Sequence, residues 1–174
     1  MKIFKIILQV ACIVLAVVFS TSLVPYLPFW LNRIELWLII PFCVVPGNLK
    51  TGLIVSMVIG WLIDIYAPTR GLFFLLLPLV SLMVHFVVNS WRTHRNWLRE
   101  SGAVILGISI FHLLVIGYEL GHALLLSDDS SLDRLVDSFK QFPQLMLVNI
   151  LIGYVLVRPI RYIFSIEQKK KFYA

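Results

Sequence analysis

Along this chain, long apolar runs alternate with short clusters of polar, proline and glycine residues. Dividing it at that punctuation gives six candidate spans, about 3–24, 34–47, 51–66, 71–89, 102–126 and 144–164. Runs near 20 apolar residues are the length of a helix that crosses a bilayer, and in lipid only a helix or a closed barrel satisfies its own backbone. The pattern therefore predicts an all-α, polytopic transmembrane helical bundle forming a single integral membrane domain. The second and third spans are shorter than the usual minimum of about 17 residues. A broken hairpin around Pro46, Gly47 and Asn48 is one way to fit them. Pro41 and Pro78 fall inside spans, where each removes a backbone donor and favours a kink.

Composition sharpens this reading. Hydrophobic residues make up 60% of the 174 and charged residues 14%, against about 25% charged in a soluble domain. Mean hydropathy is +0.92. The first segment has a basic start like a secretory signal, but its apolar stretch is nearer the roughly 20 residues of a span than the 7–15 of a signal, so a retained first helix is expected. Cys12 and Cys43 both lie in apolar runs, which argues against a disulfide framework.

The formal net charge of +6 would suggest nucleic acid in a soluble protein. Here its distribution sets topology instead. With six spans, Lys2, Lys5, Lys50, Arg92, Arg95, Arg99, Arg158, Arg161, Lys169, Lys170 and Lys171 fall on one side. Arg33, Arg70, Arg134 and Lys140 fall on the other. The first group belongs in the cytoplasm, so both termini are expected inside. Trp91 and Trp97 bracket Arg92, His94 and Arg95, as expected of an interfacial anchor. The one sizeable outer loop, 127–143, carries Asp128, Asp129, Asp133 and Asp137. Leu132, Leu135, Val136 and Phe139 recur in it at helical spacing, with Ser130 or Ser131 as a cap. It is expected to be a short amphipathic helix on the outer membrane surface, serving as a solvated connection or as a docking surface.

Two constellations hold candidate chemistry. In the third span Gly52, Ser56, Gly60 and Asp64 are four residues apart, one helical stripe. Small residues at that spacing let a second backbone approach and form a packing seam. A carboxylate within a span needs a partner or water. Asp64 is expected either to pair with Arg70 and backbone donors, closing a turn in which Gly71 takes a positive φ, or to serve as a proton, cation or substrate site. In the fifth span His112, Glu119 and His122 share a face, with Gly117 and Gly121 beside them as a second close-approach surface. That face reads as a polar cluster locking helices or as a ligand or partner site. His85 is expected to bond Ser81 or a facing helix. No zinc-protease HExxH, GxSxG elbow, P-loop or dinucleotide turn is present, so neither a catalytic residue nor a metal or other cofactor is predicted.

Thr51-Gly52, then Gly60-Trp61-Leu62-Ile63-Asp64, a short turn, and Gly71 opening Leu72-Phe73-Phe74-Leu75 resemble the rod shape-determining protein MreD family. The family pattern is a glycine, three apolar residues, an aspartate, and a glycine that opens the next helix. Chain length, about six spans, and Glu119 following an aromatic residue also fit. The resemblance is specific over about residues 51–82. It implies a non-enzymatic, multi-pass scaffold in the bacterial inner (cytoplasmic) membrane that supports rod cell shape, lateral cell-wall synthesis and the elongation machinery. The partners it implies are an MreC-like single-span protein and, through it, MreB filaments and the peptidoglycan synthesis pair RodA and penicillin-binding protein 2. On that reading the seam packs helices, Asp64 and Arg70 shape the outer end, and basic loops face the filament side. The acidic outer loop and the His112, Glu119, His122 face have no counterpart in the pattern. Substrate-capture subunits of energy-coupling vitamin transporters are similar in size, span count and glycine-rich helices and form the alternative.

Overall fold

The computed structural model describes residues 2–26, 34–66, 71–91, 96–126 and 129–164, with no β-strand among them. Six helices follow in order: α1 (Lys2–Val18), α2 (Leu36–Val44), α3 (Leu49–Tyr66), α4 (Leu72–Ser90), α5 (Asn96–Leu126) and α6 (Asp129–Phe164). Helix α1 runs on into a π-helical turn, Phe19–Leu23, and a 3-10 turn, Val24–Tyr26. Five stretches are long and apolar enough to cross a bilayer: Ile6–Tyr26, Leu49–Tyr66, Leu72–Ser90, Leu98–His122 and Phe139–Phe164. Between 17% and 33% of each is buried in the protein, so most of each apolar surface faces outward. That inside-out distribution is what lipid permits and water does not. The chain is an all-α, multi-pass membrane bundle.

The second expected span takes an unexpected form. Helix α2 has nine residues, about 14 Å at 1.5 Å per residue, less than half of a hydrocarbon core of about 30 Å. Every residue from Trp37 to Val44 is buried, so α2 touches protein on all sides and forms the centre of the core. Trp37 meets Phe111 edge-on at 5.6 Å, and Phe73 stacks on Phe111 at 5.8 Å. Phe42 fills the space over Gly107. Such a helix needs no amphipathic stripe, which is why its sequence is apolar without periodicity.

Cross-contacts fix which ends lie together. Gln9 Nε2 donates to the carbonyl of Ile163 at 3.1 Å, using one of the orphan acceptors at the end of α6. Arg161 pairs with Glu100, and Arg99 reaches the carbonyl of Pro46. One end of the bundle thus gathers the start of α1, the α2–α3 turn, the start of α5 and the end of α6. The passes alternate in direction despite the short second one, and the described parts nearest the two termini share an end, as the charge count requires. The side chains of Lys2, Lys5 and Trp97, the 92–95 stretch and Lys169–Lys171 lie outside the described residues.

The surface helix expected in 127–143 is not a separate element. Residues 129–143 form the first turns of α6, a helix of 36 residues that continues through Pro143 and Pro159. Proline removes one donor but does not end a helix whose neighbouring turns are held by packing. Phe142 meets the His112 ring at 6.5 Å, which ties α6 to α5 at that level. Helices α5 and α6 also outreach the other four. Beyond His112, α5 runs fourteen more residues to Leu126, about 21 Å. The side chains of residues 129–135, including Ser130, Ser131, Leu132 and Arg134, lie outside the described residues; Val136 and Phe139 are exposed. Pro41 and Pro78 likewise sit within continuous helices.

Candidate functional site

Every position of the predicted stripe is used, Gly52 against the end of α2 and Ser56, Gly60 and Asp64 against α4. A methyl added at Gly60 would overlap the carbonyl of Phe73 and crowd the Cα of Phe74; at Gly52 it would meet Val45. Glycine is required at Gly60 because two backbones touch there. Between these glycines Ser56, fully buried, donates to the carbonyl of Gly52 at 2.7 Å. Its hydroxyl lies 2.6 Å from that of Ser81. Since the Ser56 proton is engaged, the Ser81 hydroxyl is the donor across the interface.

Asp64 completes the stripe. Its two carboxylate oxygens accept the backbone N–H groups of Phe73 at 3.1 Å and Phe74 at 2.7 Å. These are second and third residues of α4, donors that an N-cap side chain normally takes. The preceding Gly71 has φ +81° and ψ 0° and supplies no side chain, so Asp64 caps α4 from the neighbouring helix. Negative charge there also complements the helix dipole. The backbone-donor part of the expectation for Asp64 is thus present; Arg70 lies outside the described residues. Asp64→Ala is expected to leave both N–H groups unmet and cost about 1–2 kcal/mol, read as a lower unfolding temperature in detergent, whereas an unchanged transition would mean that the cap contributes nothing.

Beside the cap a groove of about 330 Å³ opens between Trp61, Asp64, Ile65, Gly71 and Phe74. Trp61 and Ile65 are well exposed, so the groove is a shallow apolar surface with one carboxylate at its edge. An enclosed chamber for a polar solute has a different form.

A second polar cluster lies deeper. His112 Nε2 is 2.8 Å from Glu35 Oε2; because the carboxylate accepts, Nε2 carries the proton. Asn149, fully buried, accepts the Glu35 backbone N–H at 2.7 Å and donates to the carbonyl of Leu145 at 2.9 Å. Glu100 to His112 and Asn149 to Arg161 are both twelve-residue steps, about 18 Å at helical rise. This latch therefore joins the head of α2 to α5 and α6 well inside the bundle, and it fixes where the half-length helix begins.

The predicted face of the fifth span divides. His112 turns to Glu35, while His122 lies against Tyr118 with ring centres 6.2 Å apart. Glu119 is half-buried on the same helix. Among the described residues no three His, Cys, Asp or Glu side chains converge as metal ligands. Among the described residues nothing packs against Gly117 or Gly121: a methyl at either would meet none of their atoms within 4 Å. That face of α5 has open space beside it. Sequence reasoning missed Glu35, Glu100 and Asn149. Asn149 carried a usable signal, a lone amide in an apolar run that needs partners. His85 bonds the facing Val45 carbonyl, not Ser81.

Comparison with protein-family models, curated proteins and solved structures finds no match to this chain.

Proposed function

We propose that the chain is a membrane scaffold of the MreD kind, acting in the bacterial inner membrane to hold partners of the cell-wall elongation machinery. The observation that carries this reading is Asp64 capping α4 at Phe73 and Phe74, one helical step from the backbone contact at Gly60. The residues shared with the family pattern, Gly60, Asp64 and Gly71, all build one hairpin, and its outer face presents Trp61, Ile65 and Phe74. A rigid hairpin with an apolar groove suits a partner's helix better than a solute. The Glu35, His112 and Asn149 side chains, which a carrier would turn toward its cargo, are bonded to the protein instead. The role is non-enzymatic, and its partners are an MreC-like single-span protein and, through it, MreB, RodA and penicillin-binding protein 2.

In a rod-shaped host that depends on this chain, Trp61→Ala with Phe74→Ala is expected to give rounded cells at normal protein levels. Purification of the parent protein in mild detergent is expected to bring along a single-span protein with an extracytoplasmic domain. Normal rods together with a chain that purifies alone would refute the scaffold, and tight vitamin binding by that lone chain would establish the capture-subunit alternative.

A further inference from the structure

At the end of the bundle that carries the basic excess, the α2–α3 turn is gripped from two sides. His85 Nδ1 lies 3.2 Å from the carbonyl of Val45. A carbonyl only accepts, so Nδ1 holds the proton and Nε2 accepts from Asn89 Nδ2 at 2.8 Å. From α5, Arg99 Nη2 reaches the next carbonyl, Pro46, at 3.4 Å. That bond is long, and Arg99 Nε is buried with no acceptor. A guanidinium with five donors and one weak bond has unmet demand for an anion.

No carboxylate among the described residues meets that demand. Among the described residues the one acidic group at this end is Glu100, and Arg161 holds it. Lys50, exposed on the first turn of α3 just after the same turn, has no carboxylate partner among them either. Two uncompensated cations therefore flank one backbone turn. Trp91, part-exposed at the end of α4 with its ring over Gly102, marks the depth of the headgroups. Along the flank of α4 that leads into the membrane, Met83, Phe86 and Val87 are exposed, a surface that acyl chains cover.

We propose that Arg99 and Lys50 seat the phosphate of an anionic phospholipid, of the phosphatidylglycerol or cardiolipin class, against the Pro46–Gly47 turn. A zwitterionic headgroup neutralises its own phosphate and leaves both cations unmet. Free phosphate uses the cations but not the apolar flank. The site is independent of the scaffold reading, since it uses none of the residues that carry that reading, Gly60, Trp61, Asp64, Ile65, Gly71 and Phe74.

The test is native mass spectrometry of the full chain released from micelles with equal amounts of phosphatidylglycerol and phosphatidylcholine. Retention is expected to favour the anionic lipid about thirtyfold, the scale of two basic groups at a membrane surface. Arg99→Gln should lower that ratio about fivefold. Arg158→Gln, which removes an exposed charge near the same end, should leave it unchanged. Equal losses in the two variants would reduce the effect to diffuse charge and overturn the site. Displacement of the lipid by millimolar inorganic phosphate would overturn it as well. Should Arg99→Gln fail to fold, Lys50→Gln, on an exposed side chain, carries the test: it is expected to lower the ratio about fivefold, and an unaltered ratio would again overturn the proposal.

Discussion

Replacing Gly60 by alanine is expected to separate α3 from α4. The added methyl has nowhere to go, because the atoms it meets are the carbonyl carbon and oxygen of Phe73 and the Cα of Phe74. A crowding side chain can rotate; a helix backbone moves only as a body. Overpacking in a well-filled core costs about 1–3 kcal/mol, and more where backbone must shift. Moving α4 also disturbs the Ser56–Ser81 bond and pulls Phe73 and Phe74 from Asp64, so the loss should reach about 3 kcal/mol or more. Leucine at the same position should abolish monodisperse protein. Gly117→Ala makes the control: with nothing within 4 Å of the new methyl, it should be neutral or stabilising by up to about 1 kcal/mol, the helix preference of alanine over glycine. Thermal unfolding in one detergent, run on both variants, checks the pair; similar transitions for the two would mean that the hairpin contact is not what holds α3 to α4.

Arg161→Met should have the next largest effect. Glu100 is buried to 8% side-chain exposure, and Arg161, at 36%, is its ion-pair partner. Removing one member of a buried pair strands the other's charge, at a cost of about 3–5 kcal/mol; solvent already screens Arg161, so the lower figure, about 3 kcal/mol, is expected. Because the loss comes from the stranded carboxylate, adding Glu100→Met should recover most of it. A double variant no more stable than Arg161→Met would show that the pair itself, not desolvation, governs this end of the bundle.

What the sequence disclosed and what it hid divide along a physical line. The helical class and alternating passes were legible because lipid imposes them locally: apolar runs must be helices, and charges must leave the core. The Gly52, Ser56, Gly60, Asp64 stripe was legible because its period is that of the helix and its partner follows in the next helix. His112 was legible as an inward group but not its partner, because Glu35 is 77 residues earlier in the chain and Asn149 is 114 residues from Glu35. Nothing in local pattern links such positions. Residues 127–143 read as an outer loop with a short surface helix of its own because their acidic density resembles solvated surface and Pro143 follows, yet a helix can carry that composition and run on through the proline once its far end is anchored. Gly117 and Gly121 had the spacing of a seam but, among the described residues, no backbone within reach to receive.

The half-length α2 bears on how the molecule is made. Nine residues are too few for insertion machinery to hold as a span on their own, and every side chain from Trp37 to Val44 ends against protein, not lipid. This helix cannot settle as it leaves the ribosome. Its walls arrive late: Phe73 from α4, Phe111 from α5 and Gly153 from α6, beside Ile39. Biogenesis therefore runs partly out of chain order, with an early segment waiting for the last helix before its place exists.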